Sequence, residues 1–206
     1  AQVELLEASQ ELNKARHQIA KEIEKDIKHE LSELYMEKAD FKVSFDSAKF
    51  SANGNEHVEF FIQTNPGEGF KPLAKTASGG ELSRIMLAIK TVMAQQDSID
   101  TLIFDEIDVG ISGRTAQKVA EKMALIAQKR QVICITHLAQ IAAMADAHYA
   151  IEKNVDENAA VTQIRRLEKE EELNEIARLL GSDSITEAVL ANASELKNLA
   201  KQTKGY

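Results

Sequence analysis

Thr101-Leu-Ile-Phe-Asp-Glu-Ile-Asp108 decides the fold: four β-compatible residues run without a break into two carboxylates, Asp105 and Glu106. An unbroken apolar run of that length suits a strand buried on both faces, the usual state of a strand in a helix-covered parallel sheet. In open α/β sheets ligands bind at the C-terminal ends of the strands, so the two acids stand at the functional edge. Two stretches flank this one. Thr76-Ala-Ser-Gly-Gly-Glu-Leu-Ser-Arg84 sets a Gly-Gly turn before a helix, and Val132-Ile-Cys-Ile-Thr-His137 is a second apolar strand that ends in histidine.

Working outward, Leu82, Ile85, Met86, Ile89, Val92 and Met93 recur at helical spacing and predict a helix over 81–95. A second helix is expected over 114–129, with Val119, Met123 and Ile126 facing inward, then a third over 138–145 and a strand over 148–151. Alternating strands and helices imply a parallel α/β layer. Before it, Phe41, Val43 and Phe45, then Val58, Phe60 and Ile62, alternate with polar residues around Asn53-Gly54, which predicts antiparallel strands joined by a turn. After it come a polar turn over 154–158, an edge strand through Val161, Ile164 and Leu167, and a helix over 170–180 that stops at Gly181. Ser184 and Glu187 have capping-box spacing, so a last helix should run from about Ile185 to Lys201.

The first 38 residues are free of Gly and Pro, and Leu5, Ala8, Leu12, Ala15 and Ile19 repeat at the spacing of a coiled-coil seam. Ile19, Ile23, Ile27 and Leu31 then step by four, as in a helix settling onto a globular surface. An ordinary long amphipathic helix fits the same periodicity. The expected organisation is a helical arm over 1–38 and a lobe over 39–206. The chain opens on Ala1 within a helical pattern, which suggests one piece of a split domain.

The 206 residues are 44% hydrophobic, enough for a sizeable core. No apolar run approaches the roughly 20 residues of a membrane span, so no membrane role is expected. A net charge of −8 argues against the chain itself being a strong binder of phosphate backbones. The single Cys134 lies within an apolar strand and reads as a buried, inert thiol, which with the absence of a visible secretory signal suits a reducing cytoplasm.

Asp105 is placed to hold the hydrated Mg²⁺ of a nucleoside triphosphate. Glu106 is placed to take a proton from an attacking water, a role worth about 10²–10⁴ in rate. A solvated acidic strand end is the bland alternative. Ser78, Gly79, Gly80 and Glu81 bring backbone N–H groups and a helix N-terminus to face a phosphate, although a turn capped by Ser78 would look the same. His137 can hydrogen-bond a terminal phosphate or the attacking water, or simply cap its own strand. A complete site also needs G-x-x-x-x-G-K-[ST], yet no glycine in the chain is followed by lysine. Gly110-Ile-Ser-Gly113-Arg114-Thr115 imitates that loop with the wrong spacing and an arginine.

The order S-G-G-E, L-I-F-D-E and T-H resembles the C-terminal half of an ABC-type ATPase head, with signature motif, Walker B strand and switch histidine in that sequence. The long leading helix and D-E-I-D resemble its SMC and Rad50 branch. K-P-L-A-K-T-A-S-G-G-E-L-S-R-I-M-L-A-I-K, D-E-I-D-V-G-I-S-G-R, I-T-H-L-A-Q-I-A and the later E-I-A-R-L-L-G and I-T-E-A are similar to the RecN family of bacterial DNA-repair proteins. The resemblance implies an α/β fold, half of a P-loop ATPase head with a coiled-coil helix attached. It makes Ser78 to Glu81 the signature motif that meets ATP on an opposing head, Asp105 the Walker B metal ligand, Glu106 the catalytic base and His137 the switch histidine. Ser112 falls where transporters carry the D-loop aspartate, so that role does not transfer. The implied cofactors are ATP and Mg²⁺ in the complete head. The implied partners are an N-terminal Walker A lobe of the same protein, a second head in a homodimer, and DNA through the full-length assembly.

The expected function is ATP-dependent head dimerisation and DNA tethering in recombinational double-strand-break repair, in the bacterial cytoplasm at the nucleoid. The lobe alone is not expected to hydrolyse ATP. The rival readings are a Rad50- or SMC-like head lobe for chromosome organisation and a non-enzymatic dimerisation module.

Overall fold

The computed structural model describes residues 1–75, 79–94, 98–156, 159–181 and 185–205, with the side chains of 154–161 left aside. The chain divides into two compact units, Ala1–Ser98 and Ile99–Tyr206. No helix among the described residues is long and apolar enough to cross a membrane.

The first unit is built on helix α1, Gln2–Glu33, about 48 Å long at 1.5 Å per residue. Its Ala20, Ile27 and Leu31 are buried. Leu5, Leu12 and Ile19 remain 50%, 36% and 53% exposed, so the expected seam is largely uncovered, although Leu12 also meets the hairpin turn. The helix ends in a Schellman turn: Tyr35 takes φ 58°, Met36 N–H donates to the Leu31 carbonyl at 2.9 Å and Tyr35 N–H to that of Ser32 at 3.0 Å. Strands β1, Asp40–Ser51, and β2, Gly54–Gln63, form the expected antiparallel hairpin, which β3, Lys71–Pro72, extends. Gly54 has φ +88°, and a Cβ there would lie 2.9 Å from the Leu12 side chain. The turn can therefore approach α1 closely, and Arg16 Nη1 donates to the Asn53 carbonyl at 2.8 Å. His17 stacks on Phe45 with ring centroids 3.9 Å apart and meets Glu56 at 2.9 Å. Helix α2, Gly79–Val92, buries Ile85, Leu87, Ala88 and Ile89. Leu82 and Met86 are only half-buried and line an open apolar hollow with Val58, Phe60 and Leu73, so the buried stripe is rotated from the expected one.

In the second unit β4, Thr101–Phe104, pairs in parallel with β5, Gln131–Cys134, as the alternation of elements required. Helix α3, Gly113–Ala127, connects them and buries Val119, Met123 and Ile126 as expected. Burial on both faces is corrected: Leu102 and Phe104 are buried, whereas Ile103, Ile133 and Ile135 are 67%, 44% and 48% exposed. The run is apolar throughout, but within this unit and among the described residues its Leu102 and Phe104 face is covered and its Ile103 face is not.

Helix α4, Ala139–Met144, leads to β6, Tyr149–Asp156. The strand expected over 148–151 does not join the parallel layer. It forms an antiparallel hairpin with β7, Ala159–Arg166. Helices α5, Lys169–Leu179, and α6, Glu187–Lys204, join α4 in a core of Ala139, Ala142, Ala143, Ile176, Ala177 and Ala193. Thr186 caps α6 by accepting from Val189 N–H, two residues beyond the expected cap. Ser184 lies outside the described residues.

Candidate functional site

The parallel register sets Phe104 beside Cys134, so β4 and β5 end together. Ile135 N–H donates to the Phe104 carbonyl at 3.0 Å and carries the pairing one step past the strands. Asp105 and Glu106 follow on one chain, Thr136 and His137 on the other. The carboxylates and the histidine thus leave from neighbouring strand ends, about 4.8 Å apart by sheet geometry.

The chain turns sharply at Glu106, which takes φ 57°, a left-handed conformation that costs a residue with a Cβ about 1–2 kcal/mol. Asp105 Oδ1 accepts the Glu106 N–H at 2.9 Å, and the Glu106 carbonyl accepts the Val109 N–H at 3.2 Å. These bonds close the turn and leave both Asp105 and Glu106 exposed to solvent. Ser112 is the N-cap of α3, but its hydroxyl makes no capping bond; its carbonyl accepts from Thr115 N–H at 2.9 Å.

Asp108 is the residue that the sequence reading quoted without giving a role. It is 3% exposed and follows Ile107, which is fully buried. Its Oδ2 accepts the Thr136 hydroxyl at 2.6 Å and the His137 backbone N–H at 2.8 Å, and lies 3.0 Å from His137 Nδ1. The Thr136 hydroxyl in turn accepts the Leu138 N–H at 3.0 Å. One carboxylate oxygen therefore ties the loop after β4 to the end of β5. The available signal was a third acid, set beyond an isoleucine that had to turn inward.

Cys134 is free, and its thiol is pushed up to about 12, first by burial and then by the nearby carboxylates of Asp108 and Asp105. An inert thiol was the expectation, although it is half-buried rather than enclosed.

In the first unit, Gly79 and Gly80 open α2 and Glu81 lies in its first turn. Ser78 lies outside the described residues. Arg84 is 8% exposed, and burial lowers its pKa against the opposing charge of Glu81. Gly79 to Glu81 and the carboxylate edge belong to different compact units.

Proteins described as DNA repair protein RecN resemble the chain along most of its length. That of Halalkalibacterium halodurans is 46% identical over 198 residues, 94% of this chain. Those of Vibrio cholerae and Bacillus subtilis are 45% and 41% identical over 92% and 90% of it. The chain is homologous to RecN. It spans about a third of these relatives' length, 34–35%. No protein-family model matches it. A chain from a structural study of ATP-driven dimerization and DNA-stimulated activation of SMC ATPases superposes with a TM-score of 0.51 at 17% identity, covering 84% of this chain and 99% of that one. The Smc head domain of Pyrococcus yayanosii, solved with a coiled coil and joint, gives 0.57 at 18%, covering 80% and 30%. The fold is that of part of an SMC-type ATPase head.

Proposed function

We propose that this chain is the C-terminal lobe of a RecN-type ATPase head, carrying the end of a coiled-coil arm over 1–38, and that it works when two heads close on ATP. The observation that carries the reading is the carboxylate edge: Asp105 and Glu106 leave β4 beside His137 at the end of β5, and Asp108 bonds the two ends together.

Asp105 fits a magnesium ion. Among the described residues no group of three or more His, Cys, Asp or Glu forms a metal cage. A magnesium ion that keeps its waters and shares phosphate oxygens needs only one or two carboxylates. Bound Mg²⁺ and ATP would supply the charge-screened terminal phosphate. Glu106 orients the attacking water and accepts its proton, and His137 donates or accepts a hydrogen bond at the water or the terminal phosphate.

Gly79, Gly80 and Glu81, with Ser78, address the ATP of the opposing head through the N-terminus of α2. The cradle for this head's own ATP comes from the N-terminal Walker A lobe. The exposed Ile103, Ile133 and Ile135 support that partnership, since an apolar sheet face of this kind gains from being covered. The exposed Leu5, Leu12 and Ile19 of α1 likewise support pairing with a second coiled-coil strand. In the full-length assembly, head closure tethers DNA ends for recombinational repair and hydrolysis releases them. The lobe alone does not turn over ATP.

The test is Glu106→Gln in the full-length protein. Turnover should fall by about 10²–10⁴ while an ATP-bound dimer accumulates, read by light scattering. Unchanged turnover would remove Glu106 from its role, and no hydrolysis by the unsubstituted protein would favour a dimerisation module.

A further inference from the structure

We infer that Asp108 is the positioning residue of His137: it fixes the ring's tautomer and direction, so that Nε2 is the atom offered to the reaction. The inference rests on the reading of His137 given above and deepens it.

A backbone N–H can only donate, so Asp108 Oδ2, 2.8 Å from His137 N, is acting as an acceptor. The Thr136 hydroxyl takes the Leu138 N–H on its oxygen and has its own proton left for the same carboxylate, 2.6 Å away. His137 Nδ1 lies 3.0 Å from that oxygen, within ion-pair distance, and beside a carboxylate a protonated nitrogen is favoured over a bare lone pair. In the neutral ring this leaves Nε2 as an acceptor on the far side. The two partners differ in exposure: the Asp108 side chain is 4% exposed and that of His137 68%. A buried carboxylate thus lies against one nitrogen of a largely exposed ring.

The carboxylate also acts on the backbone. Asp108 bonds the main chain of His137 and lies within ion-pair distance of its ring, so one carboxylate acts on both the base and the ring of that side chain. Such a partner behind a metal-bound histidine typically changes activity by about 10–100-fold, and the same orienting role sets the scale expected for His137. Asp108 lies three residues after Asp105 on the same loop, so any shift of that loop is transmitted to the histidine. The rival explanation is that Asp108 merely pins the corner between β5 and α4 through Thr136.

A double-mutant cycle in the full-length protein separates the two, with kcat and the KM for ATP measured for Asp108→Asn, His137→Ala and the pair. Asp108→Asn should lower kcat by about 10–100-fold with KM changed by less than threefold. Combined with His137→Ala it should lower kcat no further than His137→Ala alone. A further drop in that background equal to its effect in the unsubstituted protein would make Asp108 structural and overturn the inference. So would a normal kcat for Asp108→Asn when His137→Ala is impaired, which leaves the reading of His137 intact. A normal kcat for His137→Ala overturns both. If Asp108→Asn does not fold, ¹⁵N spectra of histidine-labelled protein with no substitution at Asp108 still decide, with His137→Ala identifying the signal. A protonated Nδ1 on neutral His137 supports the inference and a protonated Nε2 overturns it.

Discussion

Glu106 holds a conformation that its side chain disfavours, and the size of that cost can be measured. At φ 57° a Cβ crowds the following carbonyl, at about 1–2 kcal/mol. Glu106→Gly removes the crowding but gives the unfolded chain more freedom, which returns about 0.4–1 kcal/mol. Glu106→Ala loses the same carboxylate and keeps the Cβ, so it is the reference. The glycine variant should be the more stable by about 0.5–1 kcal/mol, or about 1–4 °C in Tm for a chain of this length. Thermal and urea unfolding of the two variants, side by side, give the difference. Both variants should lose turnover alike in the full-length protein, because neither retains a proton acceptor. A glycine variant no more stable than the alanine variant would refute the strain. If the gain is found, a more stable turn was available at the position where a carboxylate is required.

Tyr35, also left-handed at φ 58°, closes the Schellman turn of α1, and Tyr35→Gly should raise stability by a similar amount in the same unfolding assays. Because the Cys134 thiol is pushed up to about 12 from an ordinary 9.0, the fold favours its neutral form. The unfolded state then holds fewer protons above pH 9, so stability falls as pH rises from there toward 12. Cys134→Ala should flatten that part of a urea-midpoint profile. Burial, and then Lys197, lowers the pKa of His148, so stability is full above its ordinary 6.5 and falls as pH drops below it. His148→Asn should remove that slope, and a slope unchanged by the substitution would assign it elsewhere.

Much of this structure was legible in sequence because local periodicity and local packing agree. The helix over 114–129 and the run Thr101–Phe104 were read nearly to their ends, since Val119, Met123 and Ile126 do face the core and Leu102 and Phe104 do turn inward. Burial of Ile103 and Ile133 was not legible, because an apolar residue states what surroundings suit it and not whether this chain supplies them. The strand after His148 was assigned to the wrong sheet for a related reason: a short apolar run does not say which edge it pairs with, and here its own hairpin partner β7 took it. At the candidate site, Asp105, Glu106 and His137 could be named because they end apolar strands. Asp108 could not, because its role depends on a contact across 29 residues of sequence. The one local signal, its place beyond the inward-turning Ile107, shows that the loop folds back but not what the carboxylate meets.

The central claim is that Glu106 serves the ATP of its own head and Ser78 that of the other, and mixing two inactive full-length variants tests it directly. Glu106→Gln and Ser78→Arg should each be nearly inactive alone. In a mixed dimer, one site combines both substitutions and the other has neither, so hydrolysis should return on mixing, up to about a quarter of the unsubstituted rate if dimers assort freely and sites act independently. If both residues served the same head's nucleotide, every site in the mixture would remain damaged. No recovery, with mixed dimers demonstrated by differential tags, would contradict the account.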